Sequence, residues 1–343
     1  MPGIPFKSLA ERFVNALELA GTTVVVHSAD DTRPLVLSVV IDGKAQHLEV
    51  YLWAVTSGGK GRNRPNERRI QMTGVERFTL KAGVRTIVGG WSDEAGVYAF
   101  WDVRRHLTFT AGSPSLQISL ETLEKACGIG MAAETRTVRE GDETAIAVHP
   151  DFLLWYVQEY ERLYDCGREI DEADSLVEAP PEREREFIDS GRGDAEQSRR
   201  HQVVSIVRNF RDARFRPLVL RAYSYRCCLT GVALRLVDAA HIVPVSDPTS
   251  TDEPSNGVAL NPLLHRAYDA GLLGLLPGGR TAINKRLLDG LRRQRLDSGF
   301  DIVERMIPPV MAMPGMPELR PSDDHFRRGL RARGWSETEI AAP

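Results

Sequence analysis

The sequence predicts an α+β protein with two domains joined by an acidic segment. Its 343 residues are more than most single domains contain. Helical and strand-like periodicities both occur in the first half. The formal charge changes sign near residue 198, from −10 over residues 1–198 to +7 over residues 199–343. We therefore predict a mixed α+β domain over residues 1–165, an acidic linker over 166–198 and a second domain over 199–343.

The composition is typical of a globular protein. Apolar residues make up 42% of the chain and charged residues 27%, which argues against a disordered or collagen-like chain. No apolar run approaches the roughly 20 residues of a membrane-spanning helix, and the first ten residues lack the pattern of a secretory signal. We expect a cytoplasmic protein without a membrane partner, in which the four cysteines are reduced thiols.

The first domain is predicted to begin with a helix and to continue mainly as strands. Leu9, Phe13 and Leu17 recur at helical spacing, which predicts an amphipathic helix over residues 6–19. An Asp42-Gly43 pair between two apolar runs predicts a β-hairpin. β-Branched and aromatic runs bounded by turn residues predict strands over 22–27, 34–41, 46–55, 77–80, 86–88, 97–101 and 107–110, followed by a helix near 151–163.

One basic segment interrupts this acidic domain. Residues 57–69 contain three glycines and five basic residues against one acid, and the glycines allow the backbone to approach a phosphate closely. We predict a DNA-contacting loop, with an ordinary surface loop as the alternative. Its candidate contacts are Lys60, Arg62, Arg64, Arg68 and Arg69. Trp53, Trp91 and Trp101 either pack in the core, which we favour, or line a pocket for an extruded base.

An acidic segment is followed by an arginine-rich one. Residues 169–197 contain eleven acids and three arginines, which predicts a solvated linker with a short helix at 182–188. Residues 199–226 contain eight arginines and one acid, and their apolar residues follow a helical stripe broken at Pro217. Arginine binds phosphates and guanine edges through its planar fork. We therefore predict DNA-backbone contacts from Arg208, Arg211, Arg214, Arg216, Arg221 and Arg226.

The residues suited to catalysis lie between positions 225 and 271. A β-branched strand carries His241 to its end, and Asn261 before Pro262 predicts the start of a helix. His265 and Asp269 are four residues apart on that helix, so both side chains leave the same face. They could hold one divalent cation, with water in the remaining positions. A neutral histidine opposite such a cation could deprotonate an attacking water.

These motifs resemble the HNH endonucleases of the ββα-metal class. The resemblance is carried by Ala240-His241-Ile242-x-Pro244, Asn256-Gly257-x-x-Leu260 and Leu264-His265-x-x-x-Asp269, which look like the branch found in bacterial restriction and defence nucleases. It implies a ββα-metal fold for the second domain. It also implies that His241 is the general base, that Asn256 holds the loop orienting His241, and that His265 binds a single catalytic metal. Asp269 is a supporting metal ligand, and Arg266 is a candidate contact to the scissile phosphate.

Two departures from that family affect the expected metal sites. Many HNH nucleases place a metal-binding acid or histidine directly before the first histidine, where this chain has Ala240. Asp238 is the nearest substitute, although residues three apart on a regular strand face opposite sides. Asp247, Asp252 and Glu253 are alternatives. Many relatives also bind a structural zinc through two CxxC pairs, which this chain lacks, so no structural zinc is expected.

The sequence therefore predicts a metal-dependent DNA endonuclease that uses Mg²⁺ or Mn²⁺, with Ni²⁺ or Zn²⁺ as alternatives. We expect a restriction or antiviral-defence enzyme whose first domain recognises DNA, in modified or unmodified form. Because one such site cuts one strand, cleavage of double-stranded DNA predicts a homodimer. Two alternatives stay open: a nuclease triggered by a small signalling molecule bound to the first domain, and a DNA-binding protein whose HNH fold has lost catalysis.

Overall fold

A computed structural model describes residues 4–28, 31–41, 43–57, 65–108, 114–139 and 141–341. Its internal contacts divide the chain into unit 1, Met1–Phe210, and unit 2, Arg211–Pro343. The change of unit therefore lies further along the chain than the predicted domain start at residue 199. Among the described residues, no helix is both long and apolar enough to cross a membrane.

Unit 1 combines helices with β-sheets. Its helices are α1 (Phe6–Leu19), α2 (Leu120–Ile129), α3 (Leu153–Asp165), α4 (Ala173–Val177), α5 (Pro181–Asp189) and the first part of α6 (Asp194–Ala222). Its strands are β1 (Val24–Val26), β2 (Leu35–Ile41), β3 (Lys44–Ala54), β4 (Thr56–Ser57), β5 (Glu67–Gln71), β6 (Val84–Ser92), β7 (Val97–Trp101), β8 (Ser115–Ser119), β9 (Met131–Val138) and β10 (Gly141–Val148). The predicted helix over 6–19 is confirmed.

The main sheet of unit 1 has the strand order β1-β2-β3-β6-β7-β10-β9 within the described residues. Neighbouring strands are antiparallel, except that β3 and β6 run parallel. Ile41 pairs with Lys44 at the end of the β2–β3 hairpin, which confirms the hairpin predicted there. The predicted strands over 77–80 and 107–110 are wrong in the described positions, where Arg77 and Thr108 form an isolated bridge.

Buried aromatic residues fill the interior of unit 1. Trp53, Trp91 and Trp101 are 4%, 7% and 0% exposed, so the favoured interpretation of these residues as core is confirmed. Trp101 packs in one cluster with residues of β5, β8 and α2, which joins the second sheet, β4-β5-β8, to the main one. The predicted closing helix corresponds to α3, whose Tyr156 stacks on Phe100 with ring centroids 4.1 Å apart.

The acidic segment is folded onto unit 1, which differs from the predicted solvated linker. Ile170, Ala173 and Leu176 are at most 1% exposed. Its acids have partners: Asp171 accepts a hydrogen bond from Thr135 at 2.8 Å. Others form ion pairs, namely Glu169 with Arg199, Asp174 with Lys125 and Glu184 with Arg208. Acid-rich composition alone does not reveal this fold, because the apolar anchors are few among many charged residues and the basic partners lie outside the segment.

The arginine-rich segment forms α6, which continues through Pro217 without the predicted break. A proline inside a helix removes one backbone hydrogen bond and costs about 3 kcal/mol. Burial of neighbouring apolar residues offsets this cost, since Phe215, Val219 and Leu220 are at most 5% exposed. The second part of α6 therefore belongs to the core of unit 2.

Unit 2 contains two antiparallel strands followed by a helix, the order expected for a ββα fold. Its elements are β11 (Asp238–His241), β12 (Gly257–Leu260), α7 (Pro262–Asp269), β13 (Leu273–Leu275), β14 (Thr281–Ile283), α8 (Lys285–Arg293), α9 (Phe300–Arg305), α10 (Asp323–Ala332) and α11 (Glu337–Ala341). β11 pairs with β12 in regular register, from Asp238 opposite Leu260 to His241 opposite Gly257. Its core includes Phe215, Ile242, Leu264, Tyr268 and Phe326.

Candidate active site

His241 lies at the end of β11 and is held from two directions. Its ring stacks on Phe215, with centroids 3.6 Å apart and an angle of 8° between the ring planes. Its Nε2 lies 2.9 Å from Oδ1 of Asp252, and the His241 side chain is 20% exposed. Burial raises the pKa of nearby Asp212, and the negative charge of Asp252 raises it further. His241 thus sits in a fixed orientation that still leaves part of its ring accessible.

Asn256 is fully buried and holds the loop that follows His241. Its Oδ1 accepts a hydrogen bond from the Val243 amide at 2.9 Å. Its Nδ2 donates to the carbonyl oxygens of Val243 and Thr251 and to the Ser250 hydroxyl, at 3.2, 2.8 and 3.2 Å. One amide side chain therefore fixes both ends of the loop from residue 243 to residue 251.

The start of α7 follows the predicted capping pattern. The Asn261 side chain accepts a hydrogen bond from the Leu264 amide at 3.0 Å, and Pro262 occupies the first turn of the helix. Asn261 Nδ2 also lies 3.7 Å from Cys227 Sγ and 3.5 Å from Thr230 Oγ1. The cap therefore ties α7 to the turn that precedes β11.

His265 on α7 lies between two carboxylates. Asp269 Oδ2 is 3.3 Å from Nε2 of His265, and Asp238 Oδ2 is 4.0 Å from its Nδ1. The structure thus brings together the three residues named as metal ligands. However, it places Asp238 and Asp269 at opposite edges of the imidazole ring. Burial lowers the pKa of Arg216, and the negative charge of Asp238 opposes that shift.

The donor types around His265 fit a divalent cation bound by two side chains and water. The 3.3 Å between His265 Nε2 and Asp269 Oδ2 is close to the roughly 3 Å expected for two ligands at right angles, each about 2.1 Å from one cation. Among the described residues, no group of three His, Cys, Asp or Glu side chains is arranged to hold a metal ion. His265 and Asp269 are the pair whose spacing fits a shared cation, and Asp238 lies 4.0 Å from the other ring nitrogen of His265.

Several arginines predicted to contact DNA have partners within the protein. Arg68 makes hydrogen bonds of 2.7 and 3.0 Å to Glu94, and they lower the pKa of that carboxyl group. Arg208 pairs with Glu184 at 2.7 Å. Arg216 is partly buried beside Asp238. These three side chains have structural partners within their own units.

The other predicted DNA contacts differ in exposure. Arg221, Arg226 and Arg266 are exposed, and Arg226 donates to the Gly231 carbonyl at 3.3 Å. Arg69, Arg211 and Arg214 are partly buried. Lys60, Arg62 and Arg64 lie outside the described residues. Arg266, one residue after His265, is the exposed cation nearest in sequence to the proposed metal pair.

Three residues contact the candidate catalytic groups in roles that the sequence did not predict. Phe215 stacks on His241, and Asp252, named only as an alternative metal ligand, is the hydrogen-bond partner of His241. Arg333 lies 3.2 Å from Asp269 and donates to the His241 carbonyl oxygen at 2.8 Å. Phe215 belongs to the apolar stripe of the arginine-rich segment 199–226, and that stripe was a signal for it. No local pattern marks Arg333.

Comparison with known families confirms the resemblance of the second domain. Residues 227–275 match the family model described as HNH endonuclease, and residues 46–157 match the family described as Methylase-associated X1. The chain therefore contains an HNH endonuclease domain, and this domain marks the protein as an enzyme of the nuclease class. No curated protein matches the chain.

A solved structure entitled "Modification dependent TagI restriction endonuclease" is similar to this chain at 12% sequence identity. The match has a TM-score of 0.28 and covers 85% of this chain and 82% of that chain.

Proposed function

We propose that this protein is a metal-dependent DNA endonuclease of a restriction system. In this proposal, unit 2 hydrolyses the phosphodiester bond and unit 1 recognises DNA in modified form. The observation that carries it lies within the segment that matches HNH endonucleases. There, His241 is oriented by Asp252 and by Phe215 of α6, which precedes the segment, and His265 lies beside the Asp269 carboxylate, which suits a cation.

His241 is the proposed general base. The Asp252 carboxylate can only accept a hydrogen bond, so the His241 nitrogen that faces it, Nε2, carries the proton. The other nitrogen, Nδ1, then keeps a lone pair with which to take a proton from the attacking water. Phe215 and Asp252 together limit rotation of the ring, which keeps this lone pair in one direction. Hydrolysis would leave 5′-phosphate and 3′-hydroxyl ends.

His265 and Asp269 are the proposed metal-binding pair. Bound there, a divalent cation would stabilise negative charge on the scissile phosphate and on the departing 3′ oxygen. Asp238 lies 4.0 Å from the other nitrogen of His265, where its negative charge would favour a proton on that nitrogen and leave Nε2 to bind the cation. Arg266 is exposed beside His265 and would bind the phosphate backbone.

The role of unit 1 is supported by its match over residues 46–157 to a family described as methylase-associated. A restriction enzyme must tell modified from unmodified DNA, so association with methylases suits a domain that reads modification. Arg69, which lies partly buried on β5, is a candidate DNA contact from the described part of the basic segment. Double-strand cleavage would require two copies of the chain, since each site cuts one strand.

Plasmid cleavage tests this function. We expect supercoiled plasmid to be cut with Mg²⁺, Mn²⁺ or Ni²⁺, to stay intact with a chelator, and to be cut at different rates when its cytosines are modified. His241→Ala should lower the rate at least about 100-fold, because general-base catalysis contributes that much or more. The exposed His201 on α6 provides the matched control, and His201→Ala should cut as the wild type does.

The possible outcomes separate the proposal from its alternatives. Metal-dependent cutting that His241→Ala retains would contradict the assigned base. Folded wild-type protein that binds DNA but cuts no substrate with any metal would favour an HNH fold without catalysis. Cutting that depends on an added small molecule and ignores cytosine modification would favour the signal-triggered nuclease.

A further inference from the structure

α10 packs against the backbone that follows His241, although α10 lies outside the segment matched to HNH endonucleases. Gly329 is so close to the residue after β11 that a Cβ atom built on it would meet the Ile242 carbonyl oxygen at 2.3 Å. Phe326 and Leu330, on the same helix, are each 1% exposed. No side chain fits at position 329 without moving the helix away from the strand end.

Arg333, directly after α10, connects the two histidine-bearing elements. Its Nη2 donates to the His241 carbonyl oxygen at 2.8 Å, and its Nη1 donates to that of Ile242 at 2.6 Å. Nη2 also lies 3.2 Å from Asp269 Oδ1, and the guanidinium carbon lies 3.9 Å from the ring centroid of Tyr268. The Arg333 side chain is 6% exposed. One buried cation therefore joins the end of β11 to the end of α7.

Arg328 makes a second connection from α10, to the loop that carries Asp252. Its Nη2 donates to the Thr249 carbonyl oxygen at 2.8 Å and also contacts the Thr249 hydroxyl. Asp252, three residues later, is the carboxylate that faces His241. α10 and Arg333 thus contact the strand end, the loop and α7, which are the three pieces that carry the candidate catalytic groups.

We propose that Arg333 is a positioning residue that fixes the backbone of His241 relative to His265 and Asp269 on α7. The inference rests on the proposed function, in which His241 and His265 act on one phosphate. Arginine suits this role because its planar fork offers five donors in fixed directions, whereas the lysine ammonium is a compact point charge. Lysine at this position cannot reach two carbonyl oxygens and a carboxylate in the same geometry.

Arg333→Lys is the main test, because it keeps the positive charge and removes the fork. A displacement of about 1 Å between reacting groups can lower a rate about 100-fold. We therefore expect kcat to fall about 100-fold while KM for plasmid stays at the wild-type value. Arg331→Lys is the matched control, since Arg331 forms an exposed ion pair with Glu337, and it should leave kcat unchanged.

A second variant and a second measurement keep the test independent of folding defects and of cleavage. Gly329→Ala retains Arg333 but places a methyl group against Ile242, so it should also lower kcat. The amides of Ile242 and Val243 donate to the backbone and side chain of Asn256. The rate at which these two amides exchange hydrogen with solvent measures how firmly the end of β11 is held. We expect faster exchange at both amides in Arg333→Lys and wild-type exchange in Arg331→Lys.

Two results would overturn the inference. One is a folded Arg333→Lys protein that keeps the wild-type kcat. The other is a loss of activity that only follows the loss of folded protein in thermal unfolding, with kcat per folded molecule unchanged. Wild-type protein that cuts no DNA would instead refute the proposed function. In that case hydrogen exchange still decides: faster exchange at Ile242 and Val243 in Arg333→Lys supports the positioning role, and unchanged exchange overturns it.

Discussion

At the scale of single residues, Glu184 is a buried carboxylate paired with an exposed arginine, Arg208. Its side chain is 2% exposed, and the Nε and Nη2 atoms of Arg208 lie 3.0 and 2.7 Å from its Oε2. An isolated carboxylate in such a place would be strongly unfavourable, so its partner is needed for folding. Arg208 itself is 61% exposed and could be mistaken for a free surface cation.

Replacement of Arg208 should therefore lower the stability of the fold, in addition to any effect on DNA binding. We expect Arg208→Ala to lower the free energy of unfolding by about 3–5 kcal/mol, because it removes the cationic partner of a buried carboxylate. Urea denaturation measures the effect. The double variant Arg208→Ala with Glu184→Gln removes that charge and should recover much of the loss. Equal destabilisation in the single and double variants would contradict this explanation.

The sequence could locate His241, Asn256 and His265 because their spacing within one short segment is itself the signal. The prediction for Asp238 was incomplete. Asp238 is three residues from His241, and such residues face opposite sides of a strand. The missing ligand, however, belongs at Ala240, and Asp238 is two residues from Ala240, so these two share a face. Asp238 therefore lies 4.0 Å from His265 while β11 keeps its regular pairing with β12. Arg333 could not be found, since its partner His241 lies 92 residues earlier.

At the scale of elements, two helices of unit 2 begin with the same asparagine cap. Asn261 accepts from the Leu264 amide at the start of α7, and Asn284 accepts from the Leu287 amide at the start of α8, each at 3.0 Å. Only Asn261 also has its Nδ2 near Cys227 and Thr230. The two caps thus form a natural pair for comparison.

Loss of the α7 cap should cost more than loss of the α8 cap. We expect Asn284→Ala to lower the free energy of unfolding by about 1 kcal/mol, which is typical for an asparagine cap. Asn261→Ala should lower it by about 2 kcal/mol, because the contacts to Cys227 and Thr230 are lost as well. Thermal unfolding of both variants measures the difference. Equal effects would mean that these additional contacts contribute no stability.

The helices show where local pattern was sufficient and where it was not. α1 was predicted to the residue, because its apolar residues recur at regular helical spacing. The break at Pro217 was not observed, since tertiary burial of Phe215 and Val219 outweighs the local preference of proline. The acidic segment was predicted as a linker, because its charged residues dominate the composition and hide anchors such as Ile170 and Leu176.

At the scale of the whole molecule, the division into units does not follow the change of charge. The apolar face of α6 up to Phe210 is buried in unit 1, where Phe210 packs 4.7 Å from Trp155 and 4.9 Å from Phe152 between ring centroids. Its other buried members are Val203, Val204, Ile206 and Val207. A charge count places the boundary before these residues, and packing places it after them.

A fragment cut at the charge boundary should therefore expose this face. We expect residues 199–343, produced alone, to bind a hydrophobic dye and to self-associate, because an uncovered apolar helix face favours association. Residues 211–343 should do so less, since they omit Val203 to Phe210. Dye fluorescence and light scattering of the two fragments provide the measurement. Equal behaviour would show that the face is covered without unit 1.

The position of Arg333 in the chain has a consequence for how the protein is made. Ribosomes synthesise the HNH motif first and add Arg333 only after His265 and the rest of the matched segment have emerged. If the guanidinium is what fixes the strand end, a growing chain that already displays both histidines still lacks the contact that aligns them. The nascent enzyme would thus cleave DNA more slowly than the finished one until Arg333 has been added and has packed against the strand end.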